Sequence, residues 1–481
     1  MLKTFIKYYK NHRLLFILDS LAAVSMSGLN LAFPLIAKEF INNYIPNENL
    51  TMIFTFGAIL IGMYLMRMGF NYFVNYYGHV MGTRIERDMR IDLFKKIQTL
   101  DSDYFDDHKT GSIMTHIVGH LRDISEMAHH VPENLLVSTI MILGSFTILA
   151  FIHPLFTLIV FAFILMLVLY SATRRKKMMA ASRKTRKTHE EINSEVENSI
   201  GGIRLTKAFT NEEFEIQKFT RVTNQYQESF GDFYKQMGIF SSGTNWFIDL
   251  LYVAVLVFGG YFVYLGQMDI GEYFAFFLFV GYLIQPVRTL ISTMEQVQKG
   301  WSGYEKFYNT MMIQPKITSP ENPLTLESSP RDIEFRNVTF QYETSRNHIL
   351  KNFNVTVKQG QKIALVGETG VGKSTISKLI PRFYDVNEGA IEIDSVAIKD
   401  MNLQSLRGLM GLVTQDSILF NDTIKANISL GKLDATDEEI IEALKIANAY
   451  EFVKDLPKGI YTKIGDSGNK LSGGKIQRLS I

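Results

Sequence analysis

The stretch Lys362-Ile-Ala-Leu-Val-Gly-Glu-Thr-Gly-Val-Gly-Lys-Ser-Thr375 carries the strongest local signal in the chain. Its second part fits the pattern GxxxxGK[ST], in which glycines allow backbone N–H groups to close around phosphate oxygens. The apolar run 362–366 before the loop predicts a buried strand, and residues 374–380 after it predict a helix. A strand, a glycine loop and a helix in this order predict a phosphate-binding loop within an α/β domain.

Each position of this loop has an expected role. Lys373 would reach the β- and γ-phosphates of a nucleotide, and Ser374 would hold Mg²⁺. The alternative is a glycine-rich turn with an unrelated lysine, which would need neither a strand before it nor a helix after it. The other positions expected to shape or flank the phosphate cradle are Gly367, Gly370, Gly372 and Thr375.

The α/β pattern extends on both sides of the loop. Residues 333–342 and 350–357 predict strands, and a helix is expected from Lys373. The segment before them is rich in proline and serine, which is typical of a linker. The predicted organisation is a transmembrane domain over 1–313, a linker over 314–330 and a nucleotide-binding domain over 331–481.

The first domain contains six stretches apolar enough to cross a bilayer, for which about 20 residues are needed. Buried helices of a soluble protein are the alternative, and six such runs before Arg288 argue against it. The predicted spans are 14–37, 52–77, 135–151, 155–172, 246–265 and 273–287.

Lysine and arginine are concentrated in the long segments that follow the second and fourth spans. The first of these segments includes Arg84, Arg87 and Arg90, and the second includes Arg174 and Arg175. Because positive charge favours the cytoplasmic side, both segments and both termini of this multi-pass protein are predicted to be cytoplasmic. The protein itself is expected in the cell membrane, as in a bacterial plasma membrane.

The cytoplasmic segments are predicted to be helical. Residues 84–100 carry one apolar stripe at a spacing of four, and residues 189–214 have apolar residues at helical intervals. The stripe consists of Ile85, Met89, Leu93 and Ile97.

Composition excludes several classes of function. Lys plus Arg is 50 and Asp plus Glu is 48, so the net charge of +2 gives no argument for a nucleic-acid partner. The chain has no cysteine, which excludes disulfides, thiolate metal sites and cysteine nucleophiles. The first apolar stretch is long and lacks a small-residue cleavage site, so it predicts an uncleaved span.

A second motif, Leu471-Ser-Gly-Gly-Lys475, lies well downstream of the phosphate loop. Together with that loop and the six spans, it resembles the signature motif of the ATP-binding-cassette (ABC) family. The resemblance implies that Ser472, Gly473 and Gly474 of one subunit cap the γ-phosphate on the phosphate loop of another. N–H groups at a helix start suit that role. Lys475 departs from the family, where glutamine is common.

Two further positions match the family. Tyr342, at the end of the first predicted strand, resembles the aromatic residue that stacks on adenine, and the alternative is an ordinary strand tyrosine. Gln415 looks like the family glutamine that touches Mg²⁺ or the attacking water. The resemblance therefore implies ATP and Mg²⁺ as cofactors, with Gln415 in a catalytic and metal-binding role.

The membrane half resembles the exporter branch of the family, so the resemblance covers nearly the whole chain. Residues 103–111 and 202–209 look like the segments around two coupling helices, which dock on nucleotide-binding domains. Where this branch often has an arginine and an aspartate four apart, this chain has His116 and His120. Such a pair could bind metal, sense pH or consist of two solvated helix residues.

Polar residues inside the predicted spans are candidates for contact with a transported substrate. The alternative is hydrogen bonding between helices, and for the arginine a position near water or a local pairing. These residues are Asp19, Asn30, Arg67, Asn71, Asn75, Asn245 and Asp249.

The family continues after the signature with a Mg²⁺-binding aspartate, a glutamate that polarises the attacking water and a histidine at the γ-phosphate. This sequence has none of them after Gly474. Phosphoryl transfer depends on such positioning groups. We therefore expect a fragment of a longer protein that, as given, binds nucleotide weakly and hydrolyses it negligibly.

For the parent protein, the resemblance implies a six-helix transmembrane domain followed by an incomplete α/β phosphate-loop domain. It implies ATP-driven export of an amphipathic or hydrophobic substrate (a lipid, drug or peptide) by two transporter halves in contact with membrane lipid. Two alternatives stay open: a truncated subunit without ATPase activity that regulates an intact partner, and an importer with exporter architecture.

Overall fold

The computed structural model describes residues 1–108, 110–325, 332–343, 345, 347–368, 370–413, 418–465 and 471–481. The chain divides into two compact units. The first comprises Met1–Gln98 with Thr110–Ile313, and the second comprises Thr99–Lys109 with Gln314–Ile481. The short segment Thr99–Lys109 thus belongs with the second unit, although it lies inside the predicted first domain.

Six long helices form most of the first unit, and each contains one of the predicted spans, except that the fifth ends at Tyr264, one residue before the predicted end of its span. Among the described residues, these six helices are long and apolar enough to cross a membrane, which confirms the predicted number. In chain order, the first to sixth long helices are Leu2–Tyr44, Leu50–Gln98, Thr110–Ile152, Pro154–Gly201, Glu212–Tyr264 and Ile270–Met312.

Three of the long helices contain a π-helical turn, a local insertion that is frequent at functional sites. The α-helical segments around these turns are Leu2–Lys7, Arg13–Glu39, Leu50–Phe73, His79–Gln98, Thr110–Thr115 and Leu121–Ile152. The turns themselves are Phe40–Tyr44, Val74–Gly78 and His116–His120. A separate short helix, Ile203–Ala208, lies between the fourth and fifth long helices, so the predicted helical segment 189–214 is broken by two turns.

The starts of two long helices follow from their local sequence. Pro154 occupies the beginning of the fourth long helix, and His153 Nδ1 accepts a hydrogen bond of 3.1 Å from the N–H of Phe156. The sixth begins with a capping box, in which Asp269 accepts from the N–H of Glu272 at 2.7 Å and Glu272 accepts from the N–H of Asp269 at 3.1 Å. The short connections predicted before these spans therefore carry their own helix-start signals.

Two large hydrophobic clusters stabilise the described part of the first unit, beside a small one formed by Ala22, Ala23 and Val74. One joins the third to sixth long helices and includes the stacked rings of Phe156 and Phe276, with centroids 4.3 Å apart. The other surrounds the fully buried Tyr304 and joins the N-terminal helix to the second, third and sixth long helices. It contains the whole predicted stripe, which confirms that prediction: Ile85, Met89, Leu93 and Ile97 are all buried.

The second unit contains an antiparallel sheet. Its described strands are β1 (Ile333–Phe340), β2 (Leu350–Val357), β3 (Glu388–Ile393) and β4 (Val396–Ala397). They lie in the order β2-β1-β3-β4, and Ile333 of β1 is opposite Val357 of β2 and Ile393 of β3. The α-helices are Ser102–Asp107, Lys373–Leu379, Leu403–Gly408, Ile424–Ile428, Asp437–Ile446, Tyr450–Lys454 and Gly473–Ser480. The first two predicted strands and the helix from Lys373 are confirmed, with β1 ending two residues earlier than expected.

The run 362–366 does not form the predicted buried strand. Ile363, Leu365 and Val366 retain 48%, 39% and 88% of their full exposure, and none of the described strands pairs with the run. A strand with apolar residues on both faces is buried only when neighbouring strands and helices cover it. The apolar pattern thus indicates that the run requires cover on both faces, and the described part of the chain does not cover it.

Candidate functional site

The phosphate loop adopts a backbone shape that only glycine adopts easily. Gly370 and Gly372 have φ values of +90° and +103°, and Gly372 is the cap before the helix Lys373–Leu379. A Cβ atom at Gly372 would lie 2.9 Å from Ile349 Cγ2, so packing excludes a larger residue there as well. Successive N–H groups in such a turn form a concave cradle for anions.

Lys373 is held over its own loop. Its Nζ donates hydrogen bonds of 2.8 and 2.7 Å to the carbonyl oxygens of Gly367 and Glu368. A phosphate group is anionic, so its oxygens form stronger hydrogen bonds with an ammonium group than a neutral carbonyl does. The lysine therefore lies beside the cradle, where phosphate oxygens of a nucleotide can replace the two carbonyl oxygens as its hydrogen-bond acceptors.

The residues after the lysine differ in exposure. Ser374 is exposed, whereas Thr375 is buried and its Oγ1 lies 3.2 Å from the hydroxyl oxygen of Tyr342. Tyr342 follows β1 and packs edge-on against Tyr384, with ring centroids 5.1 Å apart. The structure therefore brings the predicted adenine-stacking tyrosine to the phosphate-loop helix.

The predicted signature residues begin a helix. Ser472 is the cap of Gly473–Ser480, and its carbonyl oxygen accepts from the N–H groups of Lys475 and Ile476 at 2.9 and 3.0 Å. Ser472, Gly473 and Gly474 are all exposed at the helix start. The ammonium group of Lys475 lies 5.1 Å from the ring centroid of Phe452. That contact gives a physical role to the residue that departs from the family.

The two motifs rest on different hydrophobic clusters. The phosphate-loop helix contributes Ile376 and Leu379 to the cluster that includes the sheet, whereas Leu479 of the signature helix packs with Ile424 and Ile440 in another. Gln415, the predicted catalytic and metal-binding glutamine, lies outside the described residues. The structure thus assembles the phosphate loop with Tyr342 and supports the signature on a separate cluster.

The segment Thr99–Lys109 is bound to the rest of the second unit by polar contacts. Asp101 accepts from the N–H groups of Lys316 and Ile317 at 2.6 and 3.2 Å, and the hydroxyl of Tyr384 donates to Asp106 at 2.5 Å. Burial raises the pKa of the Tyr384 phenol above its usual range, and the bond to Asp106 raises it further. This contact ties the segment to a residue beside Tyr342.

A second acid in this segment is also perturbed. Burial raises the pKa of the Asp103 carboxyl, and the charge of Glu343 acts in the same direction. The sequence identified 103–111 as a docking segment through the family resemblance, and it missed Tyr384. The nearest local signal for Tyr384 is its place soon after the phosphate-loop helix.

The polar residues of the spans have varied surroundings. Asn75 Nδ2 donates to the carbonyl and side-chain oxygens of Asn71 at 2.8 and 3.1 Å. Arg288 donates to Asn245 Oδ1 at 2.9 Å, a bond between the fifth and sixth long helices. Arg67 lies 6.0 Å from the ring centroid of Tyr64, a local pairing. Asn30 is half-buried, Asp249 is exposed and Asp19 is buried.

The histidine pair lies in the π-helical turn of the third long helix. The rings of His116 and His120 have centroids 5.2 Å apart, and Lys306 Nζ lies 3.2 Å from His120 Nε2. An ammonium donor at that nitrogen competes directly with a metal ion for its lone pair. This arrangement favours the interpretation of ordinary helix residues over that of a metal site.

Comparisons with known proteins agree with this geometry. The profile for the ABC transporter transmembrane region matches residues 16–287, and the profile for the ABC transporter domain matches residues 350–481. An uncharacterized ABC transporter ATP-binding protein of Bacillus subtilis, YwjA, is 37% identical over 484 residues, covering 100% of this chain and 84% of that relative. The putative multidrug export ATP-binding/permease protein YgaD of the same organism is 29% identical over 490 residues, covering 100% of this chain and 84% of that relative.

Two further comparisons concern a flippase and a solved structure. The ATP-dependent lipid A-core flippase of Syntrophus aciditrophicus is 31% identical over 488 residues, covering 100% of this chain and 79% of that relative. A bacterial Atm1-family ABC exporter solved with ATP bound has the same fold, with a TM-score of 0.80 at 23% identity over 97% of this chain and 82% of that one. The chain therefore belongs to the ABC transporter family, as an exporter half-transporter that joins an ATP-binding domain to a transmembrane domain of six helices.

Proposed function

We propose that this chain pairs with a second transporter half and uses Mg²⁺ and ATP to export an amphipathic or hydrophobic molecule across the cell membrane. The observation that carries the substrate class is a cavity of about 750 Å³ in the first unit. Small-molecule sites usually enclose about 300–1,000 Å³. Its volume therefore suits a molecule of the size of a drug or part of a lipid.

The lining of this cavity combines apolar and charged side chains. Phe161, Leu165 and Val287 are apolar, while Arg175 and Arg183 carry positive charge. Arg175 Nη2 also lies 3.3 Å from Glu295 Oε2, a side chain that lines the same cavity. Apolar walls favour an acyl or aromatic body, and a guanidinium favours a carboxylate or phosphate head group.

The names of the relatives support the same class of substrate. One relative is called a multidrug export protein and another a lipid A-core flippase. We therefore extend to this chain the wider class that includes lipids, drugs and peptides.

The nucleotide is proposed to bind at the phosphate loop. Gly370 and Gly372 shape the cradle, Lys373 binds phosphate oxygens and Ser374 is the proposed Mg²⁺ ligand. Tyr342 would stack on the adenine ring. Gln415 is proposed to lie near Mg²⁺ and the attacking water, and the signature residues Ser472, Gly473 and Gly474 to cap the γ-phosphate held by the partner half.

A second half is proposed because the two segments that resemble docking segments differ in their contacts within this chain. The helix Ser102–Asp107 is bonded within the second unit, whereas Ile203–Ala208 leaves Ile203 and Leu205 at 45% and 64% of full exposure. Phe209 beside it is 66% exposed. An apolar tip of this kind suits a docking groove on another protein chain.

The proposal is tested in inside-out membrane vesicles by ATP-dependent accumulation of a fluorescent anionic lipid. Arg175→Gln is expected to reduce accumulation about tenfold, the effect of losing one charged hydrogen bond. Lys184→Gln, on the same helix, alters an exposed side chain paired with Asp232 and is the matched control. Equal transport by both variants would show that Arg175 in this cavity does not bind the transported lipid.

The same vesicles separate the two alternatives. ATP-dependent loss of preloaded lipid from inside-out vesicles would indicate import. Binding of a fluorescent ATP analogue that Lys373→Ala abolishes, with no transport in either direction, would indicate a regulatory subunit.

A further inference from the structure

Histidines and carboxylates from three helical segments meet at one place in the first unit. Asp19 comes from Arg13–Glu39, His79 begins His79–Gln98, and the other residues come from Leu121–Ile152. Possible ligand atoms of His79, His129 and His130 all lie within 4.8 Å of one another. The same is true of Asp19, His129 and Glu133, so His129 belongs to both groups. We call these five residues the histidine cluster.

The most buried members of the histidine cluster lack hydrogen-bond partners. His129 and Asp19 are each 4% exposed. Among the described residues, neither ring nitrogen of His129 nor Oδ1 of Asp19 has a hydrogen bond. Glu133 Oε2 lies 3.7 Å from His129 Nε2 and 3.9 Å from His130 Nδ1, beyond hydrogen-bond distance. Buried polar atoms of this kind are rare unless a ligand, an ion or water satisfies them.

The fold makes room for these rings. Gly78 faces His129, and a Cβ atom there would lie only 2.0 Å from His129 Cε1. His129 and Glu133 are four residues apart on one helix, so both side chains point to the same face. Pro132 between them frees the carbonyl of Ala128 from helix bonding, and the hydroxyl of Tyr9 donates to that carbonyl at 2.6 Å. The backbone around the cluster is therefore fixed, while both ring nitrogens of His129 are left without hydrogen-bond partners among the described residues.

The ligand chemistry indicates the class of ion. Imidazole nitrogens with carboxylate oxygens suit Zn²⁺ and neighbouring divalent transition metals. Ligand atoms of tetrahedral zinc lie about 3.4 Å apart, so small side-chain rotations would close the cluster around an ion. We propose that His79, His129, His130 and Glu133, with Asp19 beside them, bind a divalent transition-metal ion.

The position of the cluster gives such an ion a structural consequence. Asp19 is near the start of the first predicted span, His79 follows the second, and Glu133 precedes the third. An ion held by all three segments would tie these helix ends together on the predicted cytoplasmic side. A competing interpretation is a stack of histidine rings without metal, since the His79 and His129 centroids are 4.8 Å apart in an edge-on arrangement.

The test uses the full chain in detergent, stripped with a chelator and titrated with Zn²⁺ in competition with a zinc-sensitive dye. We expect one tightly bound Zn²⁺ per chain. His129→Gln should weaken binding by about 10-fold or more, because even outer partners of metal ligands contribute that much. His79→Gln, at an exposed position, should do the same even if His129→Gln does not fold. Co²⁺ provides a second readout, because its visible absorption reports the coordination geometry of the bound ion.

Two controls use histidines outside the cluster. His189→Gln changes a helix histidine in the cytoplasmic segment, and the double variant His116→Gln/His120→Gln removes the pair in the third long helix. Both are expected to retain wild-type Zn²⁺ affinity. The proposal is overturned if wild-type protein does not bind Zn²⁺ tightly, or if His79→Gln binds Zn²⁺ as tightly as wild type does. It is also overturned if the double variant His116→Gln/His120→Gln loses Zn²⁺ binding. None of these outcomes depends on transport or on ATP.

Discussion

Gly372 brings the phosphate loop into the helix Lys373–Leu379 at a φ of +103°. Replacing it with alanine forces a residue that has a Cβ atom into a left-handed backbone conformation. That Cβ atom would also lie 2.9 Å from Ile349 Cγ2. We expect Gly372→Ala to lower the free energy of unfolding of the second unit by about 1–3 kcal/mol. It should also weaken binding of a fluorescent ATP analogue, because the N–H groups of the cradle would be re-aimed. Thermal unfolding and analogue titration measure the two effects.

Gly408 is the matched control for that substitution. It lies in the helix Leu403–Gly408, and a Cβ atom there meets nothing within 4 Å. Alanine favours helix over glycine by up to about 1 kcal/mol, so Gly408→Ala should leave stability equal or higher. If both variants lose the same stability, the special backbone of Gly372 is not the cause.

Tyr384 provides a prediction with a defined dependence on pH. Its hydroxyl donates to Asp106, and burial followed by this bond raises the phenol pKa. The folded chain therefore keeps the phenol proton at pH values where the unfolded chain, with a tyrosine pKa near 10, loses it. The stabilising contribution is complete below about pH 10 and is lost as pH rises above that value. Tyr384→Phe should cost about 1 kcal/mol at pH 7 and progressively less above pH 10.

Tyr461 is the comparison for this experiment. Its hydroxyl also donates to an aspartate, Asp437, at 2.5 Å, but Tyr461 is 51% exposed whereas Tyr384 is 5% exposed. Solvent screens such pairs, so Tyr461→Phe should lower the unfolding midpoint less than Tyr384→Phe does. An equal loss from both variants at pH 7 would show that burial of Tyr384 adds nothing to the contact.

Where the pattern was local, the sequence predicted the backbone conformation that the structure shows. The glycines of the phosphate loop have the conformation that their motif requires, and Tyr342 lies beside Thr375. The contact between Asp106 and Tyr384 joins residues 278 positions apart, and nothing in either local sequence indicates the other. The histidine cluster was missed for the same reason, because its members come from three separate segments.

At the scale of a helix, periodicity predicts both the element and its buried face. Leu93 belongs to the predicted stripe and is 1% exposed, whereas the adjacent Phe94 is 55% exposed. Leu93→Ala should lower the free energy of unfolding by about 2–5 kcal/mol, since it removes buried methyl groups and leaves a cavity. Phe94→Ala, the neighbouring control, should change it by less than about 0.5 kcal/mol. Thermal unfolding in detergent compares the two, and a reversed order would contradict the assigned face.

Pro132 interrupts the hydrogen-bond ladder of the third long helix. Proline has no N–H for the carbonyl four residues earlier, and Tyr9 supplies the missing donor to Ala128 at 2.6 Å. Tyr9→Phe should leave that carbonyl without its partner and cost about 1–2 kcal/mol of stability. In a Pro132→Ala background the helix N–H can take over, so the same change should cost much less. An equal cost in both backgrounds would show that the hydrogen bond from Tyr9 does not compensate for the donor that Pro132 lacks.

Strands were harder to predict than helices in this chain. A helix satisfies its backbone within itself, so the pattern at Ile85, Met89, Leu93 and Ile97 was sufficient. A strand needs neighbours that are distant in sequence, and the run 362–366 has none among the described strands. Its apolar composition predicted a buried strand, and that prediction was wrong for the described structure, in which Val366 is 88% exposed.

At the scale of the whole molecule, hydropathy predicted the six long helices, and the phosphate-loop pattern predicted an α/β unit after them. The assignment of Thr99–Lys109 to the second unit could not be read from hydropathy, because it depends on contacts with Lys316 and Tyr384. The same segment is continuous in sequence with the helix His79–Gln98.

The proposed pairing of two halves predicts which residues of two chains approach each other. The chain has no cysteine, so any disulfide must come from introduced residues. A chain with Ser472→Cys and a chain with Val371→Cys, expressed together, should form a disulfide when ATP is present. Such a bond requires Cα atoms about 4.4–6.8 Å apart, so it reports close approach of signature and phosphate loop.

The measurement is a non-reducing gel of membranes treated with a mild oxidant, where the product should run near twice 55.0 kDa. Each variant expressed alone should give no product, because its cysteine would face an unchanged motif on the partner. Ser472→Cys paired with Leu433→Cys, an 85% exposed position outside both motifs, controls for random collision. Cross-linking that is the same with and without ATP would argue against head-to-tail closure. So would equal cross-linking of Ser472→Cys to Val371→Cys and to Leu433→Cys. An ATP-dependent product confined to the motif pair would assign the exposed signature helix start to the partner's nucleotide, with no requirement that ATP be hydrolysed.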